Sequence, residues 1–136
     1  MSRTIWLTAS QKRPTAFDES DRLLTAAVQK KKGLNMSFPV VPADTGVTRQ
    51  VLAENTDMMV VAFRFEKDAV GKMHNHVHVQ STYVESGQFT FTIADRQFEL
   101  RSGDSLVIPS NAMHGCVCQE AGTLIDTFTP RRDDFL

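Results

Sequence analysis

Alternating apolar and polar residues predict short β-strands through most of this chain. Phe89, Phe91 and Ile93 occupy alternate positions, which places them on one face of an extended strand. The apolar run at 58–65 is typical of a buried strand. Gly, Pro and Asn residues separate such short segments at close, even spacing, a pattern typical of an antiparallel barrel or double sheet. The sequence therefore predicts an all-β domain over residues 46–136.

Residues 1–45 follow a different pattern. A helix is predicted at 22–28, with Asp18 or Ser20 as its N-cap. An extended linker is expected to follow around Pro42. This segment is too small to fold alone, so we expect it to pack on the outside of the domain or against a second subunit.

Composition and charge narrow the class of protein. Hydrophobic residues make up 41% and charged residues 23% of the 136 residues, as in ordinary soluble globular domains. A formal net charge of -1 argues against general binding of nucleic acids or anionic membranes. No apolar stretch reaches the length of a membrane span. The first residues lack the layout of a secretion signal, so we expect the protein in the cytoplasm.

The two cysteines, Cys116 and Cys118, lie two positions apart. A disulfide between such near neighbours on one strand is geometrically awkward. The pair could contribute to a metal site, but the chain has no second thiol pair to complete one. We expect ordinary buried or half-buried thiols.

Two clusters contain all four histidines of the chain: His74, His76, His78 and His114. Since side chains alternate along an extended chain, His74 and His76 point the same way. Imidazoles at that spacing can bind one cation, with Gln80 adding an oxygen and His114 a third nitrogen from a distant strand. The sequence therefore predicts one divalent metal ion, with Ni, Zn, Fe, Mn or Co as candidates. His78 has the same parity and is expected either at the rim of the site or facing solvent.

The two clusters resemble the paired motifs of the cupin superfamily. In the first, Gly71 is followed by His-x-His and then by an amide, where cupins more often have a glutamate. In the second, Gly103 and Pro109 precede a histidine, and Asn111 takes the place of the usual glycine, which the turn tolerates. The resemblance implies a single cupin barrel (a double-stranded β-helix, or jelly roll), with residues 1–45 as an N-terminal extension containing a short helix.

The C-terminal run from Asp126 to Arg132 narrows the resemblance. With it, residues 47–136 resemble the small cupins of the pectin-degradation family, which handle 4,5-unsaturated uronates released by pectate and alginate lyases. The resemblance implies a metal-dependent enzyme that converts these monosaccharides into linear 4-deoxy-5-keto uronates. It also implies metal ligands at His74, His76, Gln80 and His114, a catalytic carboxylate at Asp126, and substrate-facing residues at Phe128 and Arg132.

Asp126 is expected to act as a general acid and base. Alternation places it on one face with Leu124 and Phe128, where an unpaired carboxylate would be costly to bury. Burial would raise its pKa toward the range useful for proton transfer. The alternative is a surface aspartate on an edge strand.

Arg132 is expected to bind the substrate carboxylate, because a guanidinium suits bidentate contact with it. The neighbouring Asp133 and Asp134 favour instead a surface salt-bridge network. Tyr83 is expected to pack in the core with its hydroxyl on a polar partner, and we include it among the substrate-binding residues. The other arginines that compete for the carboxylate are Arg131, Arg49 and Arg64.

Two other functions remain open. Sites with three histidines also occur in oxygen-activating cupins, so an Fe(II)-dependent dioxygenase of a small organic acid is the first alternative. A non-catalytic sugar-binding cupin is the second. The expected partners are a small acidic sugar and a second copy of the chain, because one barrel leaves sheet edges that need cover. Residues 5–8 could add a strand to a neighbouring sheet in such a homodimer.

Overall fold

The computed structural model describes residues 38–136, which fold almost entirely into β-strands. The predicted helix at 22–28 and the dimer strand at 5–8 lie outside the described residues. The strands are β1 (Val41–Asp44), β2 (Val47–Glu54), β3 (Met59–Phe65), β4 (Val70–His74), β5 (Val79–Ile93), β6 (Arg96–Arg101), β7 (Ser105–Ile108) and β8 (His114–Thr129), followed by a 3-10 helix at Asp133–Phe135.

All strand pairs are antiparallel, in the order β1-β2-β3-β8-β5-β6, with β4 on β8 and β7 on β5. The two longest strands, β5 and β8, pair with each other along most of their length. Each also pairs with a different strand at either end. The all-β fold predicted from the alternation is confirmed.

A pair of glycines allows β5 and β8 to approach closely at their middle. Gly87 adopts φ +86°, a backbone conformation that favours glycine. A Cβ atom at Gly122 would meet the backbone of Ser86 and Gly87. The register shifts around Gly87 bend β5 at this point, so its first half faces one group of strands and its second half another.

The interior contains two apolar clusters. The larger surrounds Val84, Phe89 and Leu124, and the smaller comprises Val51, Met59, Val61 and Phe128. Four polar side chains are buried with them: Gln80, Thr82, His114 and Asp126. Burying a polar group costs free energy unless it has a hydrogen-bond partner. These four side chains therefore mark the part of the barrel interior that is not purely apolar.

The hairpin after β5 and the segment around Pro42 test two local predictions. Ala94 and Asp95 connect β5 to β6 as the tight hairpin that the pattern predicts, with Ile93 opposite Arg96. The residues around Pro42, predicted as a linker, instead form strand β1, which pairs with β2 at the edge of the sheet. A proline fits there because an edge strand leaves one side of its backbone unpaired.

Within residues 38–136 no helix is long and apolar enough to cross a membrane.

Candidate metal site and substrate cavity

Sheet pairing brings the two histidine clusters together. His74 at the end of β4 lies directly opposite His114 at the start of β8. His76 follows in the connection to β5, where its carbonyl accepts a hydrogen bond of 2.8 Å from the Asn111 backbone N–H. Asn111 adopts φ +62°, so the left-handed turn that the sequence predicts at this position is confirmed.

The three imidazoles form a compact group. One nitrogen of each of His74, His76 and His114 lies within 4.8 Å of the others. The ring centroids of His74 and His114 are 4.3 Å apart, and those of His76 and His114 are 4.9 Å apart. This arrangement could hold a metal ion.

Each of these rings uses one nitrogen to contact a backbone carbonyl. The Nδ1 atoms of His74, His76 and His114 lie 2.7, 3.1 and 2.8 Å from the carbonyl oxygens of residues 72, 78 and 112, respectively. A carbonyl only accepts hydrogen bonds, so each Nδ1 must carry the proton. The Nε2 lone pair of each ring therefore points away from these carbonyls and can bind a cation. Metal-binding histidines commonly have this arrangement, in which the other ring nitrogen donates to a backbone carbonyl.

Gln80 directs its amide oxygen at the same place. Its amide nitrogen donates to Thr82 Oγ1 at 3.0 Å and to Asp126 Oδ2 at 2.9 Å. Its Oε1 lies 3.1 Å from Nε2 of His76. With Nδ1 of His76 protonated, two electron-rich atoms face one another there, and a shared cation would satisfy both.

Burial disfavours a second proton on the His76 and His114 rings. Desolvation lowers the pKa of His76, and it lowers the pKa of His114 to about 4. Nε2 of His114 is buried without a hydrogen-bond partner, although buried polar atoms normally have one. A neutral imidazole with an unpartnered nitrogen suits a divalent metal, so the residues present fit the predicted ion.

Asp126 lies behind this group, on the inward face of β8 opposite Thr82 of β5. Its side chain is 5% exposed. Thr82 Oγ1 donates to Oδ1 at 2.7 Å, and the Gln80 amide donates to Oδ2. Burial raises the pKa of Asp126 to about 7, although both hydrogen bonds act to lower it. The surface alternative for this aspartate is therefore wrong, and its carboxyl can exist in both protonation states near neutral pH.

A cavity of about 270 Å³ opens beside Asp126. Phe128 is 2% exposed and lies on its wall with Arg132. The Arg132 guanidinium stacks 4.2 Å from the ring centroid of Phe135 in the C-terminal 3-10 helix. The cavity thus joins the histidine group, a buried carboxyl, apolar rings and cationic side chains in one space.

The assignment of Tyr83 to the substrate site and the core is wrong. Burial alternates along the first half of β5, where Gln80, Thr82 and Val84 point inward. Tyr83 therefore points outward and is 45% exposed. Because the strand period is two, the placement of Gln80 in the site already excludes Tyr83 from it.

His78 lies beside the histidine group and outside it. Its side chain is half-buried, and its ring centroid lies 5.4 Å from that of His76 and 6.4 Å from that of Phe128. Of the two placements that the sequence leaves open, the rim fits this position.

Two residues of the site are missing from the sequence predictions. Thr82 shares the inward face with Gln80, so alternation from a predicted ligand would have identified it. Phe135 closes the cavity from the far end of the chain and contacts Phe63 and Phe128 edge to face. Its role depends on tertiary packing, and no local pattern signals it.

The cysteines are free and buried, and neither belongs to the histidine group. Cys116 lies on the cavity wall, where burial raises the pKa of its thiol to about 12. A thiol that stays protonated is a poor nucleophile and metal ligand. The expectation of ordinary buried thiols is confirmed.

The pKa shifts of Asp126 and His114 should oppose each other in the metal-free protein. The raised pKa of Asp126 means that the folded state holds a proton that the unfolded state releases between pH 3.8 and about 7, so stability falls as pH rises. The lowered pKa of His114 acts in reverse: stability is lost as pH falls from 6.5 to about 4. The net slope of wild type should therefore be shallow in their shared range.

Asp126→Asn removes the first of these trends. Between pH 4 and 6.5 its free energy of unfolding should rise with pH by up to about 3 kcal/mol, more steeply than in wild type. Urea denaturation in the presence of a chelator measures both slopes. Parallel slopes for the two proteins would contradict the raised pKa of Asp126.

Comparison with known proteins agrees with this architecture. The Cupin_2 family model, which describes a cupin domain, matches residues 61–127. The pectin degradation protein KdgF of Dickeya dadantii (strain 3937) is 41% identical over 93 residues, which cover 67% of this chain and 84% of that protein.

Two solved structures are similar in both fold and sequence. An RmlC-like cupin from Shewanella frigidimarina has a TM-score of 0.71 and 37% identity, covering 75% of this chain and 91% of that one. KdgF from Halomonas sp. has a TM-score of 0.70 and 37% identity, covering 72% of this chain and 93% of that one. The matched histidine motifs, the barrel and these relatives agree that the chain belongs to the cupin family, among the small cupins that include KdgF.

Proposed function

We propose that this protein is a metal-dependent enzyme that opens the ring of 4,5-unsaturated uronate monosaccharides to give linear 4-deoxy-5-keto uronates. The observation that carries the proposal is the buried Asp126 carboxyl, hydrogen-bonded to Gln80 beside three histidines with ring nitrogens within 4.8 Å of one another. The likeness to KdgF, which is named for pectin degradation, supports the substrate class.

The reaction is an isomerisation that moves protons and one electron pair. The C1 hydroxyl loses its proton, the bond between C1 and the ring oxygen breaks, and C1 becomes an aldehyde. The enolate released at C5 then gains a proton at C4 and becomes a ketone, which balances the proton lost from the C1 hydroxyl. No atom is gained or lost overall, so the chemistry needs a group that accepts and returns protons, together with stabilisation of negative charge on oxygen.

Asp126 suits the proton-transfer role. Its pKa of about 7 lets both forms be populated at neutral pH, which favours a group that must act as base and then as acid. The hydrogen bonds from Thr82 and Gln80 hold the carboxyl in one orientation. A carboxylate has further lone pairs beyond those two bonds, and these are available to a substrate in the cavity.

The remaining residues bind the sugar and provide its surroundings. A divalent metal on His74, His76, Gln80 and His114 would supply Lewis acidity toward a substrate oxygen. Phe128 offers the sugar ring an apolar wall, and Arg132 contributes positive charge toward the carboxylate at C6. At about 270 Å³ the cavity lies just below the usual range for ligand sites, which favours a monosaccharide over an oligosaccharide.

A coupled lyase assay tests the proposal. Unsaturated monouronates are generated from polygalacturonate and, separately, from alginate, and the ultraviolet absorbance of their conjugated C4=C5 bond is followed after addition of zinc-loaded protein. We expect the absorbance to fall faster than the spontaneous rate, without oxygen, and a chelator to abolish the acceleration.

The same assay separates the alternatives. A reaction that needs Fe(II) and consumes oxygen would replace the proposal with the dioxygenase. Saturable binding of uronates without any acceleration would favour the sugar-binding protein.

The homodimer also remains our proposal, and a monomeric mass by light scattering would contradict it.

A further inference from the structure

A second arginine, Arg49, faces the cavity from β2. Val47 at 4% exposure and Val51 at 5% exposure point inward from this strand. Arg49 lies between them on the same face and lines the cavity with Asp126. A cation on an otherwise apolar inward face is costly unless something pairs with it.

Arg49 has no such partner in the described part of the chain. Its Nε atom is buried without a hydrogen-bond partner, and none of the ion pairs between described residues includes it. Its guanidinium stacks 4.4 Å from the ring centroid of Phe135, which holds its plane without satisfying its donors. The buried Nε–H lacks an acceptor, and an anionic ligand in the cavity would supply one.

The other cations near the cavity differ from Arg49 because each already has a partner. Arg132 donates from Nε and Nη2 to both carboxylate oxygens of Asp134, at 2.9 and 2.7 Å. Lys72 lies 3.0 Å from Asp44. Arg131 pairs with Glu54 and Asp133, and the exposed Arg64 donates to Gln50. Arg49 is thus the cavity cation, among residues 38–136, whose charge no carboxylate offsets.

We propose that Arg49 binds the carboxylate of the substrate directly and makes the site selective for sugar acids over neutral sugars. Arg132 contacts the same Phe135 ring, so the two guanidiniums lie near one another, with Asp134 partly neutralising the second. The inference rests on the proposed function for the identity of the sugar acid. Recognition of the carboxylate itself does not depend on turnover.

A matched pair of ligands tests this step. Galacturonate and its methyl ester differ in the charge of one group, and NMR titration of zinc-loaded protein measures the affinity for each. Wild type should prefer galacturonate by about 10- to 100-fold, as expected for hydrogen bonds to a charged group. Arg49→Gln should lose most of this preference, and Arg49→Lys should keep part of it. The exposed Arg64→Gln is the control and should bind both ligands as wild type does.

Two results would overturn the inference: equal affinity of wild type for the acid and the ester, or an undiminished preference in Arg49→Gln. Thermal unfolding shows whether each variant is folded, and Arg49→Lys provides a second test if the glutamine variant is not. The coupled lyase assay is independent of these titrations. A carboxylate preference that requires Arg49, in a protein that does not accelerate ring opening, would leave this inference standing and refute the proposed reaction.

Discussion

Replacement of His114 by alanine should abolish tight metal binding. The Nδ1 proton of this imidazole is held by the carbonyl of Ala112, and its Nε2 is buried without a partner. Removal of the ring leaves two imidazoles and one amide oxygen for the ion. We expect the affinity for zinc to fall by about 100-fold or more, and turnover to fall to the level of the chelated protein. Calorimetric titration and metal analysis after dialysis measure the first effect.

His78→Ala is the matched control for this experiment. The residue lies beside the cluster, with its ring 5.4 Å from that of His76, but it is not one of the grouped histidines. It should therefore retain one zinc ion per chain with an affinity near that of wild type. Wild-type affinity in His114→Ala, or an equal loss in His78→Ala, would show that the metal is bound by a different set of residues.

The metal cluster could be predicted because its determinants are local. His74 and His76 share a face by the strand period alone, and Gln80 follows within one connection and the start of one strand. His114 sits just beyond a turn whose left-handed residue, Asn111, was identifiable from its side chain. Only the meeting of the two motifs required the fold, and the resemblance to cupins supplied it.

The contacts made by Asp126, Arg132 and Arg49 could not be predicted, because they depend on pairs formed by the tertiary fold. Nothing in the local sequence distinguishes Arg49 from Arg132 as a carboxylate ligand. The difference arises because Asp134 folds back onto Arg132 while Arg49 meets only an aromatic ring. Likewise, the partner of Asp126 is Thr82, 44 residues away. The error at Tyr83 has another origin: aromatic residues suggest burial, and that preference outweighed an alternation that pointed the other way.

Replacement of Asp126 by asparagine should lower kcat by about 100- to 10,000-fold, the range expected when a general acid and base is lost. Asparagine has nearly the same shape, and its amide oxygen can still accept the hydrogen bond from Gln80, so the metal ligands should keep their orientation. It cannot accept and return a proton near pH 7 as the carboxyl can. Single-turnover measurement of ultraviolet absorbance loss in the zinc-loaded variant gives the rate.

The design of this experiment separates chemistry from binding. Metal content and galacturonate affinity should change little in Asp126→Asn, because the substitution leaves the histidines and both cavity arginines in place. The control, Asp95→Asn, alters an exposed carboxylate in the hairpin turn between β5 and β6 and should leave kcat unchanged. If Asp126→Asn turned over within about twofold of wild type with zinc bound, proton transfer would have to come from another group. If it lost its metal, Asp126 would act mainly by orienting Gln80, and its hydrogen bond of 2.9 Å to that amide would explain the loss.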